Sequence, residues 1–283
     1  LVTFVGWLSY SGQNYYGFQR QKDFPTIQGA FEDVVSTLVQ QTVRISSSGR
    51  TDRGVNAVGH VVSFSLDRLP FSPDKFKELI NTRLPEDIRL LDLKVVSGKF
   101  DPRKRAYSKI YRYQIWLGDV YPFFASMSWC VRTEKRFKGL EFDFARCQQA
   151  CEVLVGEHDF ASFCSTQAAK EKKSTVRRIF NYTAKLVKDC IFDLSGDFLV
   201  LEVEGEGFLQ YQVRIMTASI LEVAFGRENL DWLKMLLEVK DRRVAPPMAP
   251  PQGLFLWRVN YRGIEFMDVS KLKRDPATGK LKL

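Results

Sequence analysis

Apolar positions recur every second residue in some segments and every third or fourth in others, and the switches between these periods predict the elements. Residues 1–10 are apolar and rich in strand formers, whereas Ile27, Ala30, Phe31, Val34 and Leu38 recur at helical spacing. Short strands are expected at 43–48 and 58–66. A helix opened by Ser72-Pro73, with Phe76, Leu79 and Ile80 on one face, then leads to a strand at 88–96. The order repeats: a strand at 107–117, a helix marked by Phe144, Cys147, Cys151, Leu154 and Val155, and strands at 176–187 and 198–203. Helices near 208–225 and 230–239 and a strand at 254–261 complete it. Two successive βαββαβ units are the split-βαβ, ferredoxin-like pattern, an α+β fold with a continuous, mainly antiparallel sheet and helices on one side. The expected division is an N-terminal unit at 1–104, a C-terminal unit at 105–262 and a basic extension at 263–283.

Composition narrows the partner. The 283 residues are 45% hydrophobic and 27% charged, which fits a soluble chain with a large core in one or two domains. A net charge of +9 and a pI near 9.3 favour a polyanion, because cationic surface gains affinity by releasing counterions from phosphates. The sequence has no long apolar run or basic amphipathic lipid-binding segment, so a nucleic acid is expected and a membrane is not. A sheet face left uncovered by helices would offer aromatics for unpaired bases and Lys or Arg for phosphates.

Five cysteines, Cys130, Cys147, Cys151, Cys164 and Cys190, show neither Cys-x-x-Cys pairs nor metal spacing, which predicts free thiols in a reducing compartment and no metal site. Cys147 and Cys151 lie one helical turn apart and are read as core. A cytoplasmic address is expected, or an organellar one where a leader has been removed from a chain that opens on Leu1 instead of Met.

The chemistry-bearing stretch is Ser48-Gly49-Arg50-Thr51-Asp52-Arg53-Gly54-Val55-Asn56-Ala57. One carboxylate stands beside two guanidiniums in a glycine-flanked loop, where positive charge favours the ionised form and the backbone can turn sharply. A turn-forming Asp and a nucleophile both fit those residue types. Tyr111 and Tyr113, two apart on a strand, share one face.

The run resembles the catalytic loop of the TruA-type tRNA pseudouridine synthases, in which Gly-Arg-Thr-Asp-x-Gly-Val carries the catalytic aspartate. The resemblance extends in order through Tyr10-Ser11-Gly12, Tyr16-Gly17-Phe18-Gln19-Arg20-Gln21, Leu84-Pro85-Glu86-Asp87-Ile88, Lys109-Ile110-Tyr111-Arg112-Tyr113, Gly156-Glu157-His158-Asp159-Phe160, Gly207-Phe208-Leu209 and Val213-Arg214. It closes with Asp241-Arg242 through Ala249-Pro250 to Gly253-Leu254. Departures are Phe18 for Trp, Asn56 for His, His60 for Gln, and Ala245-Pro246-Pro247-Met248 where Gly-Pro-Thr is usual.

The resemblance implies isomerisation of uridine to pseudouridine in the anticodon stem-loop of tRNA, at positions 38 to 40, in a cleft between the two units. Asp52 would be catalytic, by attack at ribose C1′, addition to uracil C6 or a glycal route. Arg214 would pair with Asp52 and hold it charged. Tyr111 would stack on the flipped uracil and assist removal of the C5 proton. Arg50 would fill the gap left by the flipped base or clamp a phosphate, and Phe208 and Leu209 would wall the pocket. Tyr113 and His60 are read as structural, and His158-Asp159 as a helix-terminating turn. No cofactor is required, since the reaction is an isomerisation and no Walker or dinucleotide loop stands out. A homodimer is implied. The rival readings are a non-catalytic RNA-binding protein or chaperone on the same fold, a synthase acting at other tRNA positions, and a carboxylate-dependent hydrolase, which would need a second carboxylate.

Overall fold

The computed structural model describes residues 1–68, 70–171, 174–188 and 194–265. Cys190 and most of the expected 263–283 extension, from residue 266 on, lie outside the described residues. The first half runs β1 (Val2–Tyr10), α1 (Ile27–Val39), β2 (Ser46–Ser47), β3 (Asn56–Leu66), α2 (Pro73–Asn81) and β4 (Ile88–Val96). It continues through β5 (Ala106–Trp116), α3 (Pro122–Ala125), β6 (Trp129–Cys130), α4 (Phe144–Val153), β7 (Gly156–Asp159) and α5 (Thr166–Glu171). The last elements are β8 (Val176–Lys188), β9 (Asp197–Gly205), α6 (Gln212–Ala224), α7 (Leu230–Val239) and β10 (Leu254–Tyr261).

One sheet runs in the order β4-β1-β3-β10-β5-β9-β8-β7, with β2 beside β3 and β6 beside β5. Pairing along this path is antiparallel except at β3 and β10, which meet in parallel through Phe255↔Asn56 and Leu256↔Ala57. The fold is therefore α+β with a mostly antiparallel sheet, as the periodicity predicts. Helix starts follow local chemistry: Thr26, Ser72, Asp143 and Asn229 each accept a hydrogen bond from a backbone N–H in the first turn. Two large hydrophobic clusters form, one around Phe4, Phe31, Phe64 and Phe76 and the other around α6, and Tyr111 packs against both.

Several expectations shift. The strand expected at 43–48 shrinks to β2, and the helix expected from 208 starts at Gln212 because Tyr211 adopts φ 68. The 156–159 segment is strand β7, in which His158 faces Arg177 of β8, so it is not the turn that the sequence suggested. Cys130, Cys147, Cys151 and Cys164 are buried free thiols. No described helix is long and apolar enough to cross a membrane.

Candidate active site

The loop between β2 and β3 is held from beneath. The Phe18 N–H donates to Thr51 O at 3.1 Å, and Gly17, at φ 99, passes so close that a Cβ there would stand 2.9 Å from Thr51 O. The Tyr10 hydroxyl bonds both Thr51 Oγ1 and His60 Nδ1 at 2.8 Å, and the His60 ring stacks on Phe18 with centroids 4.0 Å apart. Burial pushes His60 down to about 3, so it stands neutral behind the loop. Asn56 accepts from the Gly12 N–H at 2.9 Å and donates to Gln252 O at 2.8 Å. The departures at Asn56 and His60 are thus struts, not cavity groups.

Asp52 projects from this loop into a cavity of about 840 Å³, which Arg50, Tyr111, Leu209 and Arg214 also line. Arg214 arrives from the first turn of α6, its Nη1 4.0 Å from Asp52 Oδ2, while its Nε donates to Ala249 O at 2.7 Å. That separation is a loose ion pair, too long for a direct hydrogen bond. Burial raises the Asp52 pKa above the ordinary carboxylate value, and Arg214 and the Gln210 side chain only partly counter it. This corrects the expectation that flanking guanidiniums hold the carboxylate down. Arg53 lies over the Tyr16 ring at 4.1 Å, and neither it nor Arg50 pairs with Asp52. Burial likewise lowers the Arg214 pKa.

Tyr111 meets Phe208 edge-on at 5.1 Å, and burial followed by the charge of Asp52 pushes its phenol well above the usual value. Leu209 is buried, its N–H bonded to Gln212 Oε1 at 2.8 Å. Tyr113 is core, donating to Pro250 O at 2.6 Å. Asp52 is the one carboxylate among the described lining residues, against the cations Arg50, Arg53, Arg103, Lys109 and Arg214. Sequence reasoning passed over Arg103 and Lys109. The signal for Lys109 was its place two residues before Tyr111, on the same strand face.

The cavity opens on the face of β5 that carries Tyr113 and the α6 cluster. On the opposite face, Arg112 pairs with Glu202 at 2.5 Å and lies over Trp257 at 3.8 Å, and Ser108 donates to Glu204 at 2.6 Å. There one cation, Arg112, is paired by Glu202, and Glu204 accepts from Ser108, whereas the cavity carries five cations against one carboxylate. The unbalanced positive charge sits in the gap between the two hydrophobic clusters.

One half-buried carboxylate, a neutral phenol and five cations thus meet in one cleft on a mixed sheet, an arrangement suited to a polyanionic ligand. The sequence pattern of the family described as tRNA pseudouridine synthase matches residues 8–101 and 150–262. A tRNA pseudouridine synthase A from Maridesulfovibrio salexigens is 36% identical over 254 residues, spanning 90% of this chain and 88% of that protein. Those from Caldicellulosiruptor saccharolyticus and Exiguobacterium sibiricum are 35% and 36% identical, spanning 90% of this chain and 97% and 94% of theirs. The chain belongs to the tRNA pseudouridine synthase family.

Proposed function

We propose that the cavity receives a uridine extruded from the anticodon stem-loop of tRNA, at positions 38 to 40, and isomerises it to pseudouridine with Asp52 as the catalytic group. The observation that carries this reading is a single carboxylate facing five cations in about 840 Å³. That volume lies within the range of about 300–1,000 Å³ typical of small-ligand sites and has room for one nucleotide out of the stack. The C1′–N1 bond breaks, the uracil turns, C1′ joins C5, the C5 proton leaves and a proton returns to N1. Attack at C1′, addition to C6 and the glycal route all start from the Asp52 carboxylate. Tyr111, kept neutral by its surroundings, offers a ring for stacking and a hydroxyl, which argues against a phenolate base. Arg214 supports the charge of Asp52, Arg50 fills the place of the extruded base or meets a phosphate, and Leu209 with Phe208 walls the base in.

A homodimer sharing one tRNA accompanies this reading on the resemblance alone, the division at 1–104 and 105–262 on the repeated order of elements, and a cytoplasmic or leader-directed organellar address on the free cysteines. Incubation with tRNA tritiated at uridine C5 tests it: an active synthase releases tritium to water while the base stays attached to ribose. Free uracil would mark a hydrolase, and no release would leave an RNA-binding protein. Affinity for tRNA should also fall steeply with salt, because several phosphates shed counterions on binding.

A further inference from the structure

Lys109 is a cation without a counter-ion in the cavity. It lies on β5 two residues before Tyr111, and its side chain is half-buried. Its Nζ reaches the base of the catalytic loop, 3.3 Å from where a Cβ on Gly49 would stand. Among the described residues no carboxylate forms an ion pair with it, whereas Arg112, on the opposite face of the same strand, has Glu202. Glu204, beside Ile110 in the β5–β9 register, is on that opposite face and accepts from Ser108. The titratable groups acting on or beside Lys109 are Arg103, which repels it, and His60 from β3, which is neutral. A partly desolvated ammonium held among cations is costly unless an anion arrives with the ligand. Residues two apart on a strand are spaced roughly 7 Å, comparable with the distance from a base to the phosphate of its own nucleotide.

We propose that Lys109 grips the RNA backbone phosphate adjoining the extruded uridine, fixing the sugar over Asp52 while Tyr111 holds the base. This rests on the uridine reading above and adds a positioning residue to it. Burial and Arg103 pull the Lys109 amine down to about 8, so bound phosphate would restore its proton, and binding should weaken as pH rises past that value.

The test uses Asp52→Asn protein, in which conversion should be negligible and the loop carboxylate does not titrate, and measures stem-loop RNA affinity against salt and pH. Adding Lys109→Met should weaken binding about tenfold and make the slope of log affinity against log salt shallower by about 0.7 to 0.9. Lys109→Arg should keep the slope and abolish the loss of affinity near pH 8. On the ligand side, an RNA with a neutral methylphosphonate linkage beside the target uridine should bind the Lys109 protein with the same shallower slope. It should bind the Met variant no more weakly than ordinary RNA does. An unchanged slope in Lys109→Met, or indifference to methylphosphonate at both linkages flanking the uridine, overturns the assignment. If the unmodified protein releases tritium and only these measurements fail, the fault lies with Lys109. If no tritium is released, the uridine reading itself fails.

Discussion

Arg214→Met removes a guanidinium while keeping much of the apolar stem, and so isolates the electrostatic support of Asp52. The charged atoms stand 4.0 Å apart, on side chains 7% and 27% exposed. At that distance Coulomb's law gives about 1 kcal/mol in water and about 4 kcal/mol at the effective dielectric of a protein site. That attraction favours the ionised carboxylate, so loss of the pair moves the Asp52 pKa upward. The sign follows from the causes. Burial raises Asp52, Arg214 is the larger of the two influences lowering it, and its removal leaves burial less opposed. The carboxylate then ionises only at higher pH, and the acid limb of the rate profile moves upward. Single-turnover tritium release from tRNA labelled at uridine C5, followed from about pH 5 to about pH 9, measures that limb. Arg214 also donates to Ala249 O, and losing that bond should cost about 1–3 kcal/mol of stability without moving the limb. Arg214→Lys should be intermediate, since it keeps charge and loses the planar fork. A folded Met variant with the unmodified protein's acid limb would refute the pairing.

Asp52→Asn is nearly isosteric and should cut conversion by more than about a thousandfold while keeping tRNA affinity, which phosphate contacts dominate; tritium release above about a tenth of the unmodified rate would reject Asp52. Tyr111→Phe keeps the ring against Phe208 and should slow release about tenfold or less, and a loss nearer the full 10²–10⁴ range of acid–base catalysis would place the phenol in proton transfer. Gly17→Ala puts a side chain at φ 99 and against Thr51 O, so it should destabilise by about 1 kcal/mol or more and slow turnover by displacing the loop. Thermal melts and tritium release check it together, and unchanged values in both would show that Gly17 does not shape the loop.

Legibility in the sequence tracked how local the cause was. The helix at 230–239 and the strand at 254–261 emerge with the expected bounds because amphipathic period and flanking breakers are local. The 117–137 stretch has neither period. Its Phe124 is placed by packing on Trp116 and Phe198 from two strands, so α3 and β6 were not legible. The start of α6 turns on the left-handed Tyr211, a residue type that gives no warning of that conformation. Ordered motifs point to Asp52, Tyr111 and Arg214, and the structure brings all three to one cavity. What the sequence could not show is the direction of the Asp52 pKa shift, because burial outweighs the guanidiniums: Arg53 turns to Tyr16, and the one that acts is Arg214 of α6.

That distant guanidinium raises the question of what fixes its distance, and the answer lies in the 249–253 segment ahead of β10. At one end, Ala249 takes the Arg214 Nε–H on its carbonyl and donates its own N–H to Arg214 O at 3.1 Å. At the other, Gln252 O accepts from Asn56, and Pro251 lies so near Gly54 that a Cβ there would come within 2.9 Å of its ring. The same short strap therefore touches the arginine and, at Gly54 and Asn56, the C-terminal side of the aspartate's turn. Only two parallel residue pairs join β10 to β3, so register at that junction depends on these side-chain and backbone contacts more than on the ladder. A pair held at 4.0 Å by such a strap is close enough to bias ionisation, yet the guanidinium does not tie up the carboxylate in a direct hydrogen bond.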